Sequence, residues 1–116
     1  MAAHAKISDE NAESVGRPIF NKVLRSLLNS DREELVQHFP ELQNGMTVEL
    51  FDEASENLKP LGSPLSIEYS AHTAQSNSHV LFWKVQYKND VSKVHWKLHL
   101  SDNQDAVEVT GFGFDR

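Results

Sequence analysis

Apolar and polar positions follow two different rhythms along this chain. From residue 8 to about 61 the apolar residues recur in steps of three and four, and from 65 to 115 they alternate with polar ones. The first period belongs to helices with one buried stripe, the second to strands with one buried face. Helices followed by strands in one short chain predict an α+β domain, with the N-terminal helices packed against an antiparallel sheet. No linker, repeat or low-complexity stretch separates the halves, so residues 1–116 are expected to form a single domain around one core.

Val15, Ile19, Phe20, Val23, Leu24, Leu27 and Leu28 make the stripe of a first helix, expected to begin near Ser8 or Asp9 and to end near Asn29. Pro18 lacks an amide hydrogen and crowds the preceding turn, which predicts a kink or a fresh start there. "NSDREELVQHF" restarts helix. Ser30 and Glu33 fit a capping box, Leu35, Val36 and Phe39 face the core, and Pro40 ends the element. A third helix is expected over about 47–58, with Val48, Leu50, Phe51, Ala54 and Leu58 apolar and Pro60 and Gly62 closing it.

The strands can be aligned from pattern alone. A hairpin around "KND", 88–90, sets Val85 opposite Val94, Trp83 opposite Trp96 and Leu81 opposite Leu98, all on one face. A turn at "SDNQ" then sets Leu98 opposite Val107 and Trp96 opposite Val109. A five-residue loop near "AQSNS" adds Ile67 and Tyr69 to the same face. Phe112 and Phe114 fall out of phase, and a bulge at Gly111 or Gly113 would turn them inward.

This register puts Lys93, His95, Lys97 and His99 on the outer face, with Glu108 opposite Lys97 as a weak cross-strand ion pair. His95 and His99 are then about 13 Å apart at ~3.3 Å per residue, too far to share one ion, so "KVHWKLHL" reads as a solvated strand face. His72 and His79 fall near a loop, where a metal role is not the expected reading. His38 lies beside Phe39 on the second helix, exposed or capping.

Charge and composition remove several classes. The net charge is −6, whereas a phosphate-binding surface wants a basic patch, so nucleic acid is not an expected partner. There is no cysteine, hence no disulfide, thiolate nucleophile or zinc–thiolate site. No apolar run approaches the ~20 residues of a membrane span, and the first residues lack the apolar core of a signal peptide. A cytoplasmic location is expected unless a leader precedes the sequence. No glycine-rich phosphate loop, HExxH or Gly-x-Ser-x-Gly is present, and no cofactor is implied.

"LLNSDREELVQHFPE", 27–41, followed by a helix closing on "LKPLG" and by strands ending in "GFGF", resembles nuclear transport factor two-like (cystatin-like) domains, among them bacterial families of unknown function. The resemblance is one of layout and covers almost the whole chain. It implies a strongly curved sheet wrapped round helices as a cone, often with a pocket, and often a homodimer through the sheet's outer face. Enzymes of that superfamily, ketosteroid isomerase-like and polyketide cyclase-like, carry an aspartate, histidine or tyrosine inside the cone. The expected inner positions here are Ile67, Tyr69, Leu81, Trp83, Val85, Tyr87, Val94, Trp96, Leu98, Val107 and Val109. None is a carboxylate or histidine, so no catalytic residue carries over. An acid from the second or third helix or from a loop, with Glu49, Asp52 and Glu53 as candidates, is the route left to an enzyme.

Two non-catalytic readings follow. Tyr69, Trp83, Tyr87 and Trp96, with Phe51 as a lid, are candidates to line a pocket for a small apolar or aromatic ligand. Val80, Phe82, His95 and Phe112 are candidates for a dimer interface on the outer face.

Overall fold

The computed structural model describes residues 7–102 and 107–115. Three helices, α1 (Ala12–Leu28), α2 (Arg32–His38) and α3 (Val48–Leu58), precede four strands, β1 (Pro64–Gln75), β2 (Ser78–Tyr87), β3 (Lys93–Asp102) and β4 (Val107–Asp115). The strands pair antiparallel in the order β1-β2-β3-β4, an open meander that is not strongly curled. The α+β class holds; the strong curvature expected from the resemblance does not.

α1 presents Phe20, Val23, Leu24 and Leu27 to the sheet, all buried. It starts at Ala12, later than expected, because Ser8 to Asn11 form a turn in which the Ser8 N–H donates to Asn11 Oδ1 (2.7 Å) and the Ala12 N–H to the Ser8 carbonyl (2.8 Å). The helix passes through Pro18 as one element. Ser14 and Pro18 are both exposed, so the carbonyl that loses its helical donor lies on the wet side. Gly16 marks the closest approach to the sheet. A Cβ there would stand 2.3 Å from Leu81 Cδ2 and 3.3 Å from Trp83 Cζ2.

The cap of α2 is Asp31, whose carboxylate accepts the Glu34 N–H at 3.1 Å, in place of the expected Ser30–Glu33 box. Ser30 is used elsewhere. It sits at φ 54°, closes α1 through its N–H to the Leu27 carbonyl (3.2 Å), and shares a 2.8 Å hydrogen bond with the Ser55 hydroxyl. α3 is capped by the Thr47 hydroxyl, which accepts the Leu50 N–H at 3.2 Å. It buries Phe51, Ser55 and Leu58; the apolar Val48 and Leu50 are 54% and 50% exposed. After α3, Gly62 at φ 82° turns the chain against the β2–β3 loop, where the Asn89 N–H donates to the Leu61 carbonyl at 2.8 Å.

The β2–β3 register is the one predicted, Val85 to Val94, Trp83 to Trp96 and Leu81 to Leu98. The outer strands depart from prediction at bulges. On β1, Ile67 meets Val85 and Tyr69 meets Trp83 as expected. Ser70 is then an extra residue, and a tight turn at Ser76–Asn77 replaces the five-residue loop, with Gln75 opposite Ser78. Every β1 residue beyond the bulge changes face. On β4, Val107 pairs with Asp102 and Val109 with Leu100, not with Leu98 and Trp96; Thr110 is the extra residue. Leu98 then meets Phe112 and Trp96 meets Phe114. The expected register would have set Phe112 opposite Lys93 and carried Phe114 past the start of β3, whereas the observed one packs both on Trp96 with centroids 6.1 and 4.7 Å away. It also places Glu108 opposite Ser101 instead of Lys97.

Two substitutions test this packing. Gly16→Ala gains helix propensity, about 1 kcal/mol, but forces Leu81 and Trp83 aside in a filled core, about 1–3 kcal/mol. A net loss near 1 kcal/mol is expected in urea unfolding. Trp96→Ala is expected to cost roughly 3–5 kcal/mol, and a loss below ~1 kcal/mol would mean that the indole is not core.

Candidate functional site

The helix-facing side of the sheet is filled with aromatic rings. Phe20 stacks on Trp83 at 4.8 Å and meets Trp96 edge-on at 5.4 Å. Both indoles and Phe51 are 1% exposed. Tyr87 is buried, and half-buried Tyr69 packs edge-on against Trp83 at 5.3 Å. Four of the five expected ligand residues therefore sit within packed core. The helix-side recess, bordered by Leu24, Leu27, Ser55, Leu58 and Tyr87, measures about 40 Å³. That holds a few waters, whereas a ligand site typically needs ~300 Å³ or more. Among the described residues, the indole N–H groups of Trp83 and Trp96 and the Tyr87 hydroxyl find no hydrogen bond of good geometry. Burial pushes the Tyr87 phenol up to about 12, with the nearby Trp96 indole opposing the shift. The Tyr69 phenol is raised as well, by burial first and then by the charges of Asp9 and Glu13.

The outer face carries three of the four expected interface residues. Across it run rows set by the register: Thr73, Val80, His99 and Gly111; Ala71, Phe82, Lys97 and Gly113; Glu68, Lys84, His95 and Asp115. Val80 and Phe82 are half-buried and His95 is exposed. Phe112 is the exception. The Thr110 bulge turns it to the helix side, opposite Leu98 and against Trp96. An open recess of about 360 Å³ lies between Ser70, Ala71, Phe82, Lys84, His95, Lys97 and Asp115. A Cβ at Gly111 or Gly113 would meet nothing within 4 Å, so these glycines leave a bare strip beside His99 and Lys97.

The hairpin end of the helix-facing side holds polar groups that the sequence pattern missed. The Ser70 bulge turns His72 inward, opposite Leu81, and β2 alternation puts His79 on the same face. Asp102, at the end of β3, completes it. The His72 and His79 rings stack at 5.1 Å with Nε2 and Nδ1 2.9 Å apart. His79 Nε2 lies 2.8 Å from Asp102 Oδ2, and His72 Nδ1 lies 2.7 Å from Asp9 Oδ1. The expectation of an inner face without carboxylate or histidine is thus corrected. Strand alternation alone could have flagged His79 and Asp102; nothing in the sequence marks Ser70 as the bulge. Glu49, Asp52 and Glu53 are exposed on α3 and do not reach this face. Among the described residues, no group of three or more His, Asp or Glu side chains is arranged to hold a metal ion, and no helix is long and apolar enough to cross a membrane.

Comparison of the chain with protein-family models, with curated proteins and with solved structures finds no match.

The burial of the aromatic rings has two readouts. Tryptophan emission is expected to be blue-shifted and to resist acrylamide, and a strongly quenched, red-shifted emission would contradict the packing. A phenol that stays neutral in the fold contributes stability that is complete below about pH 10 and is lost as pH rises toward 12. The phenolate absorbance of Tyr87 should therefore appear late, and Tyr87→Phe should remove that step. The same substitution is expected to change stability by about 1 kcal/mol or less.

Proposed function

We propose that this chain is a non-catalytic protein-assembly module that acts through the outer face of its sheet, with a second copy of itself as the partner. The observation that carries the reading is the contrast between the two faces. The helix-facing side is filled by Phe20, Trp83 and Trp96, while the outer side offers an open recess around Phe82. The row Glu68, Lys84, His95, Asp115 has acid at both edges and base in the middle. Such a row is complementary to a second copy of itself displaced sideways, so that the edge acid of one meets the central base of the other. The bare strip at Gly111 and Gly113 allows a close approach beside His99 and Lys97, one strand away from Val80 and Phe82. The helix-first, meander-second order supports a nuclear transport factor two-like scaffold for this role.

An isomerase-like or cyclase-like enzyme is the second reading, favoured by one observation: His79 and Asp102 form a buried base–acid pair on the helix-facing side. A general base needs a ring nitrogen within reach of substrate. Here both nitrogens of each ring are engaged inside the chain.

Size-exclusion chromatography with light scattering, at tens of micromolar, tests the assembly reading. The expected mass is twice 13.1 kDa, both at about pH 8 and near pH 6. Phe82→Asp should give a monomer with little change in melting temperature. A wild-type chain that is monomeric at both pH values would overturn the proposal.

A further inference from the structure

Four ionisable groups form one continuous chain at the hairpin end of the sheet. Asp9 contributes Oδ1 to His72 Nδ1, His72 Nε2 meets His79 Nδ1, and His79 Nε2 meets Asp102 Oδ2, at 2.7, 2.9 and 2.8 Å. The Ile7 N–H donates to the same Asp102 oxygen at 2.9 Å. Thus both ends of the chain hold the segment that leads into α1. The two imidazole side chains are each 4% exposed, while Asp9 is 89% exposed.

Counting hydrogens decides how this chain works. Three contacts at hydrogen-bond distance need three hydrogens, because the carboxylates only accept. Two neutral imidazoles supply one N–H each, two in all. With two, some contact sets lone pair against lone pair. One added proton completes the set, whichever ring carries it: that ring donates in both directions and the other donates outward to its carboxylate. Carboxylates are the charged groups in contact with the two rings. The N-terminal segment brings Asp9 and β3 brings Asp102, while α1 brings Glu13, already paired with Arg17 at 2.8 Å. β1 adds the Tyr69 phenol, and β4 faces Asp102 with uncharged Val107.

We propose that Asp9, His72, His79 and Asp102 form a proton-operated clasp, in which the two imidazoles hold one proton in common and with it pin the segment from Ile7 to Asn11 onto the sheet. When that proton leaves, the link that opens is Asp9 to His72. Asp9 turns into water at little cost, whereas buried Asp102 keeps its donors from His79 and Ile7. The remaining two hydrogens then satisfy His72 to His79 and His79 to Asp102. The clasp is closed on the acidic side and opens as pH rises.

Substitution of the exposed carboxylate separates this from ordinary packing. An asparagine amide at position 9 can donate to the vacated His72 Nδ1, completing the chain with neutral rings. Asp9→Asn should therefore hold the clasp closed at every pH, and Asp9→Ala should leave it open at every pH. The readout is amide hydrogen exchange of residues 7–11 in the full chain, corrected for the intrinsic pH dependence of exchange, with ring nitrogen resonances of His72 and His79 followed by NMR. In the wild type, protection is expected to fall about tenfold as pH rises, the scale of one charge-assisted hydrogen bond, with both rings shifting at one common midpoint as a single proton is lost. Protection should be high and pH-independent in Asp9→Asn, and low and pH-independent in Asp9→Ala. Rings that titrate separately, wild-type protection independent of pH, or an Asp9→Asn chain that still opens would each overturn the clasp. Because residue 9 lies in water, neither substitution is expected to unfold the domain, and an unchanged melting temperature for the remainder confirms that the comparison is fair.

Discussion

The wedge of Phe20 between Trp83 and Trp96 is the contact on which the rest of the structure depends. The two indoles face each other across β2 and β3, the central pair of the meander. Phe20 stacks flat on one and edge-on to the other, so its ring spans both strands. It can do so only because α1 lies close to the sheet, and it lies close because Gly16 has no Cβ to meet Leu81. Leucine and valine side chains from α1, β2 and β3 fill the space around this wedge. Among the described residues the buried indole N–H groups find no hydrogen bond of good geometry, at a cost of about 1–3 kcal/mol each. Burial of large aromatic area offsets that cost, since each such side chain removes roughly 150–250 Å² from water.

The edges of the sheet are governed by different physics from its centre. Sheet edges expose backbone groups, and both edges here are met by a charged side chain from the helical half. Arg17 donates to the Ile67 carbonyl of β1 at 3.1 Å, and the Glu41 carboxylate accepts the Val109 N–H of β4 at 2.7 Å. The edge strands also carry register shifts, at Leu65 and Ser70 on β1 and at Thr110 on β4. The bulges at Ser70 and Thr110 have opposite chemical consequences. The one on β4 delivers Phe112 and Phe114 to the aromatic core. The one on β1 delivers His72 to His79 and creates a buried polar chain in a face that is otherwise apolar. A buried polar chain is tolerated only when its members satisfy one another, which ties its integrity to its proton count.

The two faces thus divide the labour. The helix-facing side secures the fold and, at the hairpin end, couples it to the first residues described. The outer face has no such duty. Its mixed charges, half-buried Phe82 and bare glycine positions are compatible with solvent and available to a partner.

The helical and strand halves, the central hairpin register and the burial of Trp83 and Trp96 were legible in the sequence. Each is set by local periodicity, and the pairing of β2 with β3 aligns every apolar residue at once. The caps were nearly legible, but Ser30 and Asp31 are both good capping residues. Only the closing of α1 onto Ser30 left the role to Asp31. Tertiary structure alone decided the bulges, because an extra residue in an edge strand is chosen by what the strand beyond it can bury. Phe112 and Phe114 found Trp96, and His72 found His79. Trp96 lies far from both phenylalanines in sequence, and His79, only seven residues from His72, is reached because of the Ser70 bulge, which no local pattern announces.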